Sequence, residues 1–298
     1  MYKIIDIHTH IYPEKIAEKA CSALGKFYDF PIQGKATYRD IKAQSLGFEK
    51  AISAEDLSNS ALIAGFVLLN AATSPHQVQK VNDALAKNVL RAREDGFFCR
   101  GFAGMHQDYE DMKGEVERCE AIGLTGFKLH PDIQGCDIDD SRFLPLYEAC
   151  EGRMPVFFHM GDDRADYQYS TPEKLRRILD MFPRLKAVAA HFGCYKTWAA
   201  GAECLWDDPN VYFDCSSALW ALSPDAAVAL IRRISPGRML YGTDYPVFSF
   251  LPYYRLFAKL ELTDGEKEDI LYNNAIRFFE MCDAENAAYH SRGENKPI

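Results

Sequence analysis

Short apolar runs recur along the chain, hydrophobic throughout rather than alternating, with amphipathic stretches between them. Residues 3–7, 60–69, 97–104, 124–129, 155–159, 187–191, 211–215 and 238–242 predict eight such strands. The stretches between them predict helices. Pro13 opens one over 13–20, and another covers 40–52 after an irregular, aromatic-rich excursion at 27–38. Ser74-Pro75 starts a third that runs to about residue 94, with Val78, Val81, Leu85 and Val89 on one face. Further helices are expected over 111–122, where Gly123 ends the pattern, over 141–150, after Thr171-Pro172, over 195–204 and over 224–234. A polar break spans 56–60. The tail is expected to be helical over 252–282, in two pieces split near 262–265, with 283–298 frayed beyond it.

Strands buried on both faces are what a parallel sheet covered by helices requires. Eight βα units in 298 residues predict an α/β fold: one (β/α)8 barrel of the TIM type over 1–298, rather than a doubly wound sheet. No G-x-G-x-x-G follows the first strand, so the usual mark of a dinucleotide-binding fold is missing.

Composition narrows the partners more than the fold. A net charge of −9 and a pI near 5.4 give no reason to expect a nucleic-acid-binding face. No apolar run reaches the roughly 18–20 residues of a membrane span. The first strand carries candidate ligands and does not read as a signal peptide. Nine cysteines without a C-x-x-C pair read as reduced, buried thiols of a cytoplasmic protein.

The chemistry gathers where strands stop. His8 and His10 close the first strand, Lys128 and His130 the fourth, His159 the fifth, His191 the sixth, and Asp244 follows the eighth. In an extended chain residues i and i+2 share a side, so His8 and His10 can converge on one point. Neutral imidazole is a common metal ligand. Each residue alone has a plain account, as a hydrogen-bonded core histidine or an N-cap aspartate. Together they fall on one rim, the C-terminal face where barrel active sites are built.

This pattern resembles a known family. Asp6-x-His8-x-His10, then His159, His191 and Gly242-Thr243-Asp244-Tyr245-Pro246, are similar to the amidohydrolase superfamily. The nearer likeness is to its amidohydrolase-related branch, which includes amino-carboxymuconate semialdehyde decarboxylase, other aromatic acid decarboxylases and uncharacterised hydrolases. The resemblance implies one divalent metal ion held by His8, His10, His159 and Asp244. Zinc is the first expectation, with manganese, iron or cobalt as alternatives. Asp244 would also move a proton of the activated water. His191 would act as acid/base or stabilise charge, or else be a further ligand or a structural histidine. In two-metal relatives a lysine at the place of Lys128 is carboxylated and bridges both ions. With one ion, Lys128 would bind a substrate carboxylate or pair with an acid such as Asp214. Arg164 is a candidate anion clamp or a solvated loop charge. Tyr12, Trp220, Tyr245 and Phe248 are candidates to wall a pocket for a ring or simply to pack, and His106 to reach the rim.

The expected activity is hydrolysis of an amide, lactone or ester-like bond of a small molecule. The alternative is a non-oxidative decarboxylase or hydratase of a small carboxylic acid, and a non-catalytic binding barrel is the third reading. The sequence itself does not reveal the oligomer; a homodimer is what the family resemblance implies, and the 27–38 excursion is a candidate interface or lid.

Overall fold

Parallel pairing requires strands whose two faces are both covered, and the strands here are almost wholly buried. In a computed structural model that describes residues 1–54 and 60–292, they are β1 (Tyr2–His10), β2 (Ala61–Leu69), β3 (Phe98–Gly104), β4 (Gly126–Leu129), β5 (Val156–Phe158), β6 (Ala187–Ala189), β7 (Val211–Asp214) and β8 (Met239–Leu240). They pair in chain order, each parallel to the next. The ends of the sheet meet: Ile7 N–H donates to Tyr241 O at 3.0 Å and His10 N–H to Tyr245 O at 2.6 Å. The expected (β/α)8 barrel is the observed architecture.

The helices are α1 (Glu14–Tyr28), α2 (Tyr38–Ala54), α3 (Val78–Glu94), α4 (Met112–Ala121), α5 (Pro131–Gln134), α6 (Leu144–Cys150), α7 (Pro172–Met181), α8 (Glu203–Trp206), α9 (Pro224–Ile234), α10 (Phe250–Ala258), α11 (Asp264–Glu268) and α12 (Asn274–Ser291). Strand side chains divide by parity. Ile5, Ile7, Val67, Leu69, Phe102, Phe157, Val188 and Leu240 fill the barrel interior, which Phe278 and Phe279 of α12 plug from below. Ile4, Phe66, Leu68, Phe127, Leu129, Val156 and Phe158 face the helical layer. Each such burial contributes about 1.5–3 kcal/mol before the entropy of ordering is counted. Caps define several helix starts: Ser223 accepts from Ala226 N–H at α9, and Thr263 and Glu266 form a capping box at α11.

Three expectations change. The helix over 195–204 is absent: a single 3-10 turn covers His191–Gly193, and the only α-helical turn nearby is α8. Phe192, Lys196 and Gly201 adopt positive φ of 57°, 58° and 71°, which no continuous right-handed helix accommodates. The first helix runs to Tyr28, so the irregular stretch begins at Asp29, whose left-handed φ of 49° ends α1. The tail is nearly continuous from Asp264 to Ser291 through a π-helical turn at Asp269–Asn273, and His290 is helical, hydrogen-bonded to Glu120 at 2.8 Å. Most of the predicted polar break, and residues 293–298, lie outside the described residues. All nine cysteines are free and seven are buried. Among the described residues no helix is long and apolar enough to cross a membrane.

Candidate metal centre

The functional rim begins with a bulge. The register of β1 against β2 shifts between Asp6 and Thr9, and such a shift re-aims side chains. Ile5 and Ile7 fill the interior, yet the ring of His8, of opposite parity, also lies edge-on to the interior Phe157 at 4.8 Å. The carboxylate of Asp6 locks this turn. It accepts from His8 N–H (3.0 Å), Thr243 N–H (3.1 Å) and Thr243 Oγ1 (2.6 Å), tying the ends of β1 and β8 together. Burial pushes the Asp6 carboxyl up to about 7 against those three hydrogen bonds.

Three ligand atoms converge above it. His8 Nε2 lies 3.1 Å from His10 Nε2 and 3.1 Å from Asp244 Oδ1, and His10 Nε2 lies 3.6 Å from the same oxygen. The ligand atoms of His8, His10 and Asp244 all lie within 4.8 Å of one another. The other nitrogen of His8 sets its tautomer: Nδ1 donates to Asp214 Oδ2 at 2.7 Å, which leaves the Nε2 lone pair facing the cluster. Burial holds His8 and His10 well below the usual histidine range, so both are neutral at neutral pH and able to ligate. Asp244 Oδ2 accepts from Ser217 Oγ at 2.6 Å, and burial pushes this carboxyl up to about 8. Asp244, Ser217 and His191 have φ of 65°, 48° and 59°. Left-handed backbone costs an L residue about 1–2 kcal/mol, and such strain collects at functional sites. Two imidazole nitrogens and a carboxylate oxygen in this arrangement fit a zinc- or manganese-type cation.

His159, expected as a fourth ligand, stands outside that 4.8 Å group. Its Nδ1 is 3.1 Å from His191 Nε2, and its Nε2 is 3.1 Å from Asp132 Oδ2. Its ring stacks on His130 at 4.2 Å. His191 stacks on His8 at 5.2 Å, its Nδ1 faces Ser216 O at 2.9 Å, and its N–H donates to Asp214 Oδ1 at 2.9 Å. Burial brings both His159 and His191 down to about 3.

The two expected substrate-binding cations differ. Lys128 is fully buried, its Nζ has no hydrogen-bond partner among the described residues, and it lies 4.3 Å over the ring of Phe157. Burial lowers it to about 7, opposed by the charges of Asp214 and Asp244. It is not hydrogen-bonded to Asp214, whose oxygens serve His8, His191 and Ser216 instead. Arg164 is not a free clamp. It grips Asp162 through Nε (2.9 Å) and Nη2 (2.7 Å), donates to Phe27 O at 2.8 Å, and stacks 3.9 Å over Tyr167. In doing so it pins the end of α1, where the Tyr28 hydroxyl lies 3.1 Å from His130 Nε2 and 3.5 Å from His159 Nε2. Trp220 and Phe248 pack on Phe30, Tyr245 donates to Asp40, and His106 Nδ1 accepts from Asp108 N–H. Sequence reasoning missed Tyr28, Asp132, Ser216 and Ser217 as members of this cluster. The serines lie two and three residues beyond the end of β7, so their position near a strand end was a usable signal. Tyr28 ends a helix and had none.

A closed parallel barrel with imidazoles and a carboxylate converging on its C-terminal rim defines a TIM-barrel enzyme of the metal-dependent kind. The amidohydrolase family model matches residues 5–281, and the chain belongs to that family. The 2-amino-3-carboxymuconate-6-semialdehyde decarboxylase of Dictyostelium discoideum is 25% identical over 331 residues, spanning 92% of this chain and 90% of its own. The structure of 5-carboxyvanillate decarboxylase from Sphingomonas paucimobilis superposes with a TM-score of 0.69 at 16% identity, covering 94% of this chain and 99% of that one. That of dihydroxybenzoic acid decarboxylase from Polaromonas sp. JS666, solved with manganese and 2-nitroresorcinol, gives a TM-score of 0.67 at 16% identity, covering 96% and 99%. At these identities the superpositions speak for the fold.

Proposed function

We propose that the chain is a metal-dependent, non-oxidative decarboxylase of a small carboxylic acid. The observation that carries this reading is the near full-length likeness to a curated decarboxylase, 92% of the chain at 25% identity. Hydrolysis, the first expectation from the sequence, draws only on the family's general name. A divalent ion held by His8, His10 and Asp244, with His159 as the fourth side chain, would supply the electrophile that stabilises the charge left when CO2 departs. Zinc and manganese both suit these donors, and the Polaromonas decarboxylase holds manganese.

The chain's own residues supply the rest. Lys128 carries an unpartnered buried ammonium in the rim, a point charge for a substrate carboxylate. Phe157 beneath it and the apolar interior keep that carboxylate from water, which favours conversion to neutral CO2. Asp244 presents Oδ1 to the ligand cluster and keeps Oδ2 on Ser217, so one carboxyl both ligates and exchanges a proton. His191, whose Nδ1 proton is committed to Ser216 O, offers Nε2 as a base. One ion per chain is the simpler reading, because Lys128 Nζ rests against Phe157.

The test is metal content by elemental analysis, with mass-spectrometric detection of CO2 from a panel of aromatic and unsaturated carboxylic acids. About one ion per chain and metal-dependent CO2 release are expected. Turnover of lactones or amides with no CO2 from any acid would refute the lyase reading in favour of hydrolysis.

A further inference from the structure

We infer that Asp132 is a positioning residue of the metal centre: its carboxylate accepts a hydrogen bond from Nε2–H of His159 and so holds the tautomer whose Nδ1 lone pair is free for the ion. The inference rests on the same metal centre as the proposed function, and not on the reaction assigned to it.

Asp132 follows β4 on the short helix α5, is 4% exposed, and neither of its carboxyl oxygens has a hydrogen-bond partner among the described residues. A buried carboxyl in that condition is costly, so its neighbours matter. The nearby cations are spent elsewhere. Arg164 grips Asp162, and Lys174 Nζ bonds Asp137 at 2.5 Å and Gln168 O at 2.6 Å. The group facing Asp132 is His159 Nε2, 3.1 Å from Oδ2. Tyr28 does not compete strongly for that nitrogen. It has one hydroxyl proton, and His130 Nε2 at 3.1 Å is nearer than His159 Nε2 at 3.5 Å.

Tautomer logic supplies the second half. His191 Nδ1 faces a carbonyl oxygen, Ser216 O, which can only accept, so Nδ1 carries the proton and Nε2 a lone pair. That lone pair faces His159 Nδ1 at 3.1 Å, so the contact seen requires the proton of His159 to be on Nδ1. For His159 to ligate through Nδ1, that proton must move to Nε2, and the acceptor waiting there is Asp132. The same device is complete on the opposite side of the cluster, where Asp214 Oδ2 accepts from His8 Nδ1–H at 2.7 Å. A histidine ligand whose outer nitrogen donates to a carboxylate is held in one tautomer and one orientation.

The test compares Asp132→Leu and Asp132→Asn with the parent. Zinc affinity would be read by competition with a chromophoric chelator, and the stability of metal-stripped protein by urea unfolding. Loss of such a carboxylate weakens metal binding about 10–100-fold. The leucine variant is expected to show that loss with no fall in metal-stripped stability, since it replaces an unpaired buried carboxyl by an apolar group of similar size. The asparagine variant, which keeps an acceptor oxygen, should fall between. Unchanged zinc affinity in Asp132→Leu overturns the inference, and so does a loss that merely tracks a loss of folded stability. Weakened zinc binding in a family of proteins that release no CO2 overturns the decarboxylase reading and leaves Asp132 in its role. A parent that binds neither zinc nor manganese overturns both.

Discussion

Asp214→Asn is the substitution whose outcome the hydrogen bonds determine most fully. Asp214 Oδ1 accepts three donors: His191 N–H at 2.9 Å, Ser216 N–H at 2.9 Å and Ser216 Oγ at 2.6 Å. Oδ2 accepts one, from His8 Nδ1 at 2.7 Å. An asparagine must place its carbonyl against the three donors, which puts its NH2 against His8. His8 then has to accept at Nδ1 and carry its proton on Nε2, the nitrogen that faces His10 and Asp244. The variant therefore holds the wrong tautomer of a metal ligand while filling the same space. Metal affinity should fall about 10–100-fold, or about 1.4–2.8 kcal/mol. One hydrogen bond changes direction and three are kept, so metal-stripped stability should fall by only about 1 kcal/mol. Chelator competition for zinc and manganese reads the first quantity and urea unfolding the second. A folded Asp214→Asn protein that binds either ion as tightly as the parent would refute the argument that Asp214 sets the tautomer of His8.

Lys128→Met should stabilise the metal-stripped protein by about 1–4 kcal/mol, because it replaces a buried, unpartnered cation by an apolar group of similar length. Burial lowers Lys128 from 10.5 to about 7, so the unfolded chain binds the extra proton between those values and parent stability rises with pH there. The advantage of the methionine variant is thus fully present below about pH 7 and fades toward 10.5, which urea titrations at several pH values would check; a pH-independent difference would contradict it. Arg164→Ala should release the end of α1, and with it Tyr28, from the rim. Carbethoxylation by diethylpyrocarbonate, mapped by mass spectrometry, should then speed severalfold at His130 and His159 but not at the exposed His76. Equal rates in parent and variant would mean that Tyr28 does not guard the site. Glu120→Ala removes the carboxylate that accepts from Arg153, Asn286 (2.7 Å) and His290 (2.8 Å), and leaves the 5%-exposed Arg153 without its ion pair. A loss of about 3–5 kcal/mol in urea unfolding is expected; a loss under 1 kcal/mol would show that water replaces the carboxylate.

The barrel was legible because its strands are apolar on both faces, a pattern that few other folds demand. His8, His10 and Asp244 were legible for a related reason, since a polar residue that closes an apolar strand has nowhere to point but the rim. What stayed hidden lacks a local signal. The 195–204 stretch reads as helical, but Lys196 and Gly201 within it adopt positive φ, which the local sequence does not announce. Arg164 looked like a free cation because its partner Asp162 is two residues away, where sequence does not distinguish a loop charge from a bidentate ion pair. Asp214 looked like a partner for Lys128. The fold gives it to His8, 206 residues distant in sequence, a contact that no spacing rule anticipates.

The distribution of satisfied and unsatisfied polar atoms divides the rim in two. On the β6–β8 side His191, Asp214, Ser216, Ser217 and Thr243 are bonded to one another or to neighbouring backbone, and Asp6 extends the network under β1. On the β4 side Lys128 Nζ, His130 Nδ1 and both oxygens of Asp132 have no hydrogen-bond partner among the described residues. Lys128 lies near the end of β4, His130 is the N-cap of α5 and Asp132 lies in its first turn, so all three come from one five-residue stretch of the rim. Each unmade buried hydrogen bond costs about 1–3 kcal/mol, which a well-placed ligand recovers. On the proposed reading the bonded half holds the metal ligands rigidly, and Asp132 is taken by His159. Lys128 and His130 are left, beneath Tyr28, as the groups that a carboxylated substrate would meet. A substrate series that varies one carboxylate at a time bears directly on this division: removing the group that meets Lys128 should raise KM in the parent and change little in Lys128→Met.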